Sequence, residues 1–314
     1  MNPRLPVTDP LKMHEVARDI ARAAVGYDPG PMTPMPSGSH NVFLSPEIVV
    51  KIIDSGKHSR LEREIALVPH LPIGLTAPLL GSGLHHLENR DILFACYSRA
   101  SGAAPGMGMP GVDAVTARLL AEQAVTRLAE LHSWVPVSQC EQTLREPLDH
   151  GGFLNQAAFV ADVERLGAAD RHGTIPLNLL EGLMAIAQRA PMHARVVVPV
   201  HADCHWGNWL ACDDRLTALL DFEWARFGEP VDDWFFLVRF SGPHIETVLD
   251  VVARATRTPP ETLRAACELR EASFLASDLR AILENSSVRT DTAPDRLRAL
   301  ETLIFDRNWG PRAR

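Results

Sequence analysis

The chain has 314 residues, 46% of them hydrophobic, and a formal net charge of −8. That length supports two lobes with ordinary cores, and the acidic balance argues against a nucleic-acid partner while leaving room for a cationic one. No apolar run reaches transmembrane length and no apolar h-region follows Met1, so a cytoplasmic protein without a membrane partner is expected, and the five cysteines, odd in number and without CxxC spacing, predict reduced thiols and no zinc site.

Thr8-Asp9-Pro10 is a helix-start signal, and Met13, Val16, Ala17, Ile20 and Ala24 form one apolar face of the helix that follows. Residues 32–35 read as extended. Pro36-Ser37-Gly38-Ser39-His40-Asn41 then reads as a turn before a strand over 42–44. Such a loop offers backbone N–H groups to phosphate oxygens, with Gly38 allowing close approach. After the turn Ser45-Pro46-Glu47, the β-branched run over 48–53 predicts a strand with Lys51 inside it. Lys51 is one of three lysines, with Lys12 and Lys57, and an ammonium inside an apolar strand is costly to bury unless it meets an anion. The helix predicted over 59–71, with Leu61, Ile65 and Val68 at helical spacing, offers Glu64 as that anion and Glu62 as the runner-up.

A further strand over 91–97 leads into Ser98-Arg99-Ala100-Ser101-Gly102 and a stretch rich in Gly, Pro and Met, the composition of a hinge. Beyond it, helices are predicted over 115–132, 153–166, 177–189, 233–240, 244–257, 260–283 and 294–306, with no internal repeat.

The densest chemistry lies over 197–233. An apolar strand delivers His201, then Asp203 and Asn208, and a second apolar run delivers Asp221. Strands over 209–212 and 216–220, joined by Asp213-Asp214-Arg215, fold Asn208 and Asp221 toward one another. Phosphoryl transfer from a nucleotide needs such a set. One carboxylate, Asp203, sits near the incoming hydroxyl, and an amide oxygen and a second carboxylate, Asn208 and Asp221, hold magnesium, which prefers oxygen ligands. His201, Asp203 and His205 at alternating positions also suit a transition-metal hydrolase, but that alternative leaves Asn208, Asp221 and Lys51 without a task.

The run His201, Ala202, Asp203, Cys204, His205, Trp206, Gly207, Asn208, followed by Leu220, Asp221, Phe222 and Glu223, resembles the HGDxHxxN and IDFE segments of the aminoglycoside phosphotransferase and choline kinase family. Gly228-Glu229-Pro230 with Asp233 resembles that family's GDPxxDL element, residues 36–41 its GGxxN phosphate loop with Ser37 for one Gly, and residues 98–102 its hinge. Two departures stand out: Ala202 where the family has Gly, and Glu229 where it has Asp.

The resemblance implies an α+β, bilobal, protein-kinase-like fold: a small antiparallel-sheet N-lobe over 1–100, a hinge at about 98–102, and a larger, mainly helical C-lobe over 101–314. It implies Asp203 as catalytic base, Asn208 and Asp221 as magnesium ligands, and Asp233 as a structural carboxylate. It further implies Lys51, positioned by Glu64, on the α and β phosphates, and Ser37, Gly38 and Ser39 around the phosphates. Ser98 and Ala100 would bond to the base through their backbone, and His201 would hold the loop without moving protons. The activity implied is magnesium-dependent transfer of the γ-phosphoryl group of ATP or GTP to a hydroxyl of a small molecule, by a monomer or homodimer. The Lys-poor, Ala/Arg/Leu-rich composition, typical of high-GC bacteria, points by association to an antibiotic, an aminoglycoside or another basic one, inactivated by O-phosphorylation. A metabolite kinase acting on choline, a sugar or an amino alcohol is the alternative, and an inactive nucleotide-binding scaffold a further one. Acidic candidates for a cationic acceptor are Glu223, Glu146, Asp149, Asp162, Asp278 and Glu284.

Overall fold

The computed structural model describes residues 10–37, 40–54, 60–87, 90–148, 153–194, 197–284, 293–306 and 309. Helix α1 (Pro10–Val25) opens it, and Met13, Val16, Ala17 and Ile20 are buried along one side, as the spacing predicts. Five antiparallel strands follow in the order β1-β2-β3-β5-β4: β1 (Thr33–Met35), β2 (Asn41–Leu44), β3 (Ile48–Asp54), β4 (Leu79–Leu87) and β5 (Arg90–Ser98). Alternation along β3 sorts its side chains. Ile48, Val50 and Ile52 pack with Phe43, Ile92 and Cys96 under α1, while Ile53 joins the other buried cluster and Lys51 shares its face.

Strand β4 is an element the sequence pattern does not announce. Its inner positions are Leu79, Gly81, Gly83, His85 and Leu87, while Leu80 and Leu84 are exposed, so the usual alternation is inverted. The glycines have a packing reason: a Cβ on Gly81 would stand 3.1 Å from the Ala24 Cβ, so α1 lies directly on the strand's backbone.

Helix α2 (Arg60–Leu67) and the tight turn Val68–His70 lie between β3 and β4. After the sheet come α3 (Ala114–Ser133), α4 (Ser138–Arg145), α5 (Gln156–Ala169) and α6 (Leu177–Gln188). The α3 start is fixed by Asp113, whose Oδ1 accepts from the Val115 and Thr116 N–H groups at 2.8 Å each. Four short strands hold the densest segment, β6 (Val198–Val200) with β9 (Arg226–Gly228) and β7 (Trp209–Cys212) with β8 (Arg215–Leu219). The chain closes with α7 (Pro230–Arg239), α8 (Ile245–Thr256), α9 (Pro260–Glu284) and α10 (Ala293–Glu301). Helix α4 and strand β9 are additions to the expected set.

The architecture is α+β and bilobal. Its larger buried cluster runs through the helical part and reaches back to Leu61, Leu67, Leu75, Ala95 and Tyr97, so apolar packing is continuous across residue 100. No helix among the described residues is long and apolar enough to cross a membrane. All five cysteines are free thiols, four of them buried.

Candidate active site

Lys51 reaches from β3 into a group of carboxylates. Its Nζ lies 2.8 Å and 3.0 Å from the Glu64 oxygens on α2, 3.1 Å from Asp221 Oδ1 after β8, and 3.8 Å from Glu223 Oε1. Glu64 thus holds the place expected of it, and the runner-up, Glu62, is exposed on the other side of α2. One ammonium cannot neutralise two buried carboxylates and the half-buried Asp221 together. Burial opposes the charge of Lys51, but Asp221, Glu64 and Glu223 outweigh it and hold the ammonium protonated well above its ordinary range. Burial likewise opposes ionisation of Asp221, yet Lys51 keeps it below the usual carboxylate range. Glu223 takes the proton: burial, then the Asp221 charge, push its carboxyl up to about 8. Its Oε1 lies 3.0 Å from Nε2 of His40, whose own pKa is lowered to about 4 by burial and by Lys51, so a neutral imidazole faces a neutral acid. Glu223, expected among the acceptor-binding acids, is therefore buried in the lysine cluster instead.

The loop that carries Asp203 is fixed from beneath by Asp233 on α7, which is fully buried. Asp233 accepts from the Ala202 N–H at 2.7 Å, the His201 N–H at 3.1 Å and His132 Nε2 at 2.9 Å. Burial pushes its carboxyl up, but the His132 bond and charge, with the other donors, hold it below the usual range. Ala202 stands at φ +62°, the left-handed conformation glycine adopts without strain, so the departure from Gly falls where it has a conformational consequence.

His201 is spent on structure. Its Nε2 lies 2.9 Å from the Leu220 carbonyl and its Nδ1 accepts from the Asp203 N–H at 3.2 Å, so neither ring nitrogen is available to a metal. Among the described residues the acids and histidines close enough to share a metal ion are Glu64, Asp221 and Glu223, with no histidine. The transition-metal alternative therefore lacks its ligands. The cation at the centre of that group is already the Lys51 ammonium.

Asp203 is half-buried, and burial, then the charge of Asp221, raise its pKa well above the ordinary carboxylate value, against the bond from Asn208. The side-chain amide of Asn208 donates from Nδ2 to the Asp203 carbonyl at 2.8 Å, which leaves its Oδ1 as the atom presented outward. Its backbone carbonyl accepts from the Leu220 N–H at 2.7 Å, so the β7 and β8 ends bring Asn208 beside the residue preceding Asp221. The turn that does this is Asp213-Asp214, both at positive φ (+50° and +59°), the geometry a two-residue hairpin requires. An amide oxygen and a carboxylate are the hard donors magnesium accepts, so the pair fits that ion.

At the hinge the Ser98 N–H is donated to the Pro78 carbonyl at 3.0 Å and the Arg99 N–H to the Glu47 carbonyl at 2.6 Å. Ala103 exchanges two backbone bonds of 2.9 Å with Ala211, tying the hinge to β7, and Gly102 makes this approach feasible because a Cβ there would collide with the Ala211 carbonyl. Ser37 is exposed; Gly38 and Ser39 lie outside the described residues, as does Asp149. Glu146 is half exposed beside Arg63, Asp162 and Glu284 pair with Arg280, and Asp278 alone of the described acidic candidates lines the cleft beside Asp203.

A strand lysine met by a helix glutamate and by Asp221, beside a loop that joins Asp203 to Asn208, is the arrangement of a bilobal, kinase-like phosphotransferase. The chain belongs to the phosphotransferase enzyme family, whose sequence profile matches residues 32–269. Among solved structures it is similar to aminoglycoside 2'-phosphotransferase-IIIa in its GDP complex (TM-score 0.72, 18% identity, 94% of this chain and 99% of that chain). It is also similar to macrolide 2'-phosphotransferase MphH from Brachybacterium faecium (TM-score 0.60, 20% identity, 96% and 100%). A third is a thermostable mutant of aminoglycoside phosphotransferase APH(4)-Ia with AMP-PNP and hygromycin B (TM-score 0.62, 14% identity, 91% and 97%). No curated protein matches the chain by sequence.

Proposed function

We propose that the protein transfers the γ-phosphoryl group of ATP or GTP to a hydroxyl of a small molecule, an antibiotic being the acceptor class, which O-phosphorylation would inactivate. The observation that carries this is the meeting of Lys51 with Glu64 at 2.8 Å and with Asp221 at 3.1 Å, across 170 positions of sequence for the second. Solved neighbours that act on aminoglycosides and macrolides support the antibiotic class. Lys51 binds the α and β phosphates, held in place by Glu64, with the loop that includes Ser37 beside them. The nucleotide base meets the backbone at Ser98 and Ala100, at Ser98 through the carbonyl because its N–H is donated to Pro78, so the N-lobe over 1–100 carries the donor and the remainder the chemistry.

Asn208 Oδ1 and the Asp221 carboxylate would hold magnesium, which when bound neutralises charge on the phosphate oxygens. Asp203 orients the acceptor hydroxyl and takes its proton as the oxygen attacks. Burial and the charge of Asp221 raise its pKa, the direction that makes a carboxylate more basic. The free thiols and the need for nucleotide fit a cytoplasmic enzyme.

The test is ADP and GDP release with magnesium across a panel of hydroxyl-bearing antibiotics, with Asp203→Asn beside the parent protein. Acceptor-dependent release that Asp203→Asn abolishes, with nucleotide binding retained, is expected. Turnover that survives the substitution removes Asp203 from the role.

A further inference from the structure

The cleft that opens on Asp203 holds about 200 Å³ of sheltered space and widens into solvent, so a ligand would be only partly enclosed. Five of its lining residues are aromatic: Phe153, Trp224, Phe235, Phe236 and Phe274. Among the described residues its charges are three carboxylates, Asp203, Asp232 and Asp278, and three guanidiniums, Arg226, Arg270 and Arg296.

All but Asp203 are matched among themselves or to neighbours. Asp232 accepts from Arg270 Nε at 2.6 Å and lies 3.5 Å from Arg226, while Asp278 lies 2.7 Å from Arg296. Arg270, 5% exposed, also bonds Glu229 and lies over the Phe153 ring at 4.6 Å. Among the described residues, an acceptor bearing several ammonium groups finds no spare carboxylate here beyond Asp203. To gain Asp232 it must displace the buried Arg270 from its partner, which is strongly unfavourable, and to gain Asp278 it must compete with Arg296, whose side chain is partly exposed. An apolar or aromatic body meets the rings without that penalty.

We infer that the acceptor is a hydroxyl-bearing molecule with a largely apolar or aromatic body and no more than one positive charge, rather than a polycation. This rests on the phosphoryl-transfer role given to Asp203, and it departs from the basic acceptor that overall acidity suggests. Among the described residues the charges of the cleft balance, three carboxylates against three guanidiniums.

The test is calorimetric titration of the full chain with erythromycin and phenyl β-D-glucoside as apolar-bodied probes and kanamycin as polycation. Titrations are run with magnesium and AMP-PNP or GMP-PNP, and again without nucleotide. At least one apolar-bodied probe should bind tenfold or more tighter than kanamycin. Ser273→Trp, which fills the cleft, should weaken that probe at least tenfold, and Arg296→Ala, which uncovers Asp278, should tighten kanamycin severalfold. A margin below tenfold, or no binding by either apolar-bodied probe, overturns the inference. Failure of AMP-PNP and of GMP-PNP alike to bind with magnesium overturns the phosphoryl-transfer reading instead, and the nucleotide-free titrations keep the two failures apart.

Discussion

Asp233→Asn isolates what the buried carboxylate under the loop that carries Asp203 contributes. The carboxylate accepts three bonds, and an amide offers one oxygen in place of two. With that oxygen kept on the Ala202 N–H, the amide nitrogen faces both His132 and the His201 N–H. His132 can change tautomer and accept, but the His201 N–H cannot, and His201 is fully buried. One buried donor left unpaired destabilises by about 1–3 kcal/mol, and the loss of charge from the other two bonds adds to it, so a total of roughly 2–4 kcal/mol is expected. Urea denaturation at pH 7.5, followed by circular dichroism, measures it. The pH dependence gives a second check. The folded-state pKa of Asp233 is depressed, so its stabilisation is present above the unfolded value of about 3.9 and is lost as pH falls through the folded one. The gap between parent and variant should therefore close only below about pH 4. A loss under about 1 kcal/mol at pH 7.5, or a gap that closes near neutral pH, would refute this account of the loop.

Glu223→Gln should leave stability near pH 5 unchanged and raise it at pH 9. The folded carboxyl titrates at about 8, above the unfolded value, so its stabilisation is fully present below the unfolded pKa and lost as pH rises through the folded one. A neutral amide removes that loss, and parallel pH profiles for parent and variant would contradict the protonated acid. Gly102→Ala places a methyl against the Ala211 carbonyl at a φ of +105°, and should destabilise by more than about 1 kcal/mol in urea denaturation while weakening nucleotide binding by calorimetry. An unperturbed nucleotide affinity would separate the hinge from the donor site.

The sequence discloses the parts of the site that are local in chain or dictated by chemistry. Lys51 is legible because a lysine in a β-branched strand needs an anion, and Asn208 and Asp221 because two apolar runs and a polar turn imply a hairpin. His40 is not legible as a partner of Glu223, since nothing local distinguishes a loop histidine that folds inward from one that faces water. Strand β4 is hidden because glycine replaces the apolar residues of its inner face, leaving no alternation to detect. The cleft beside Asp203 is hidden for another reason. Phe274 and Arg270 sit on α9, far along the chain from Asp203, and helical spacing shows that they share a helix without showing what that helix faces.

Arg63 stands next to Glu64 on α2 and is 3% exposed. Its guanidinium donates to the Thr143 carbonyl, to the Ala225 carbonyl at 3.1 Å and to the Glu146 carbonyl at 3.0 Å, all in the helical part of the chain. Adjacent residues of one helical turn thus grip opposite halves of the molecule. Swinging α2 away to release Lys51 would strip three acceptors from a buried cation. Those three bonds therefore hold α2 to the helical part of the chain through the residue next to the one that grips Lys51.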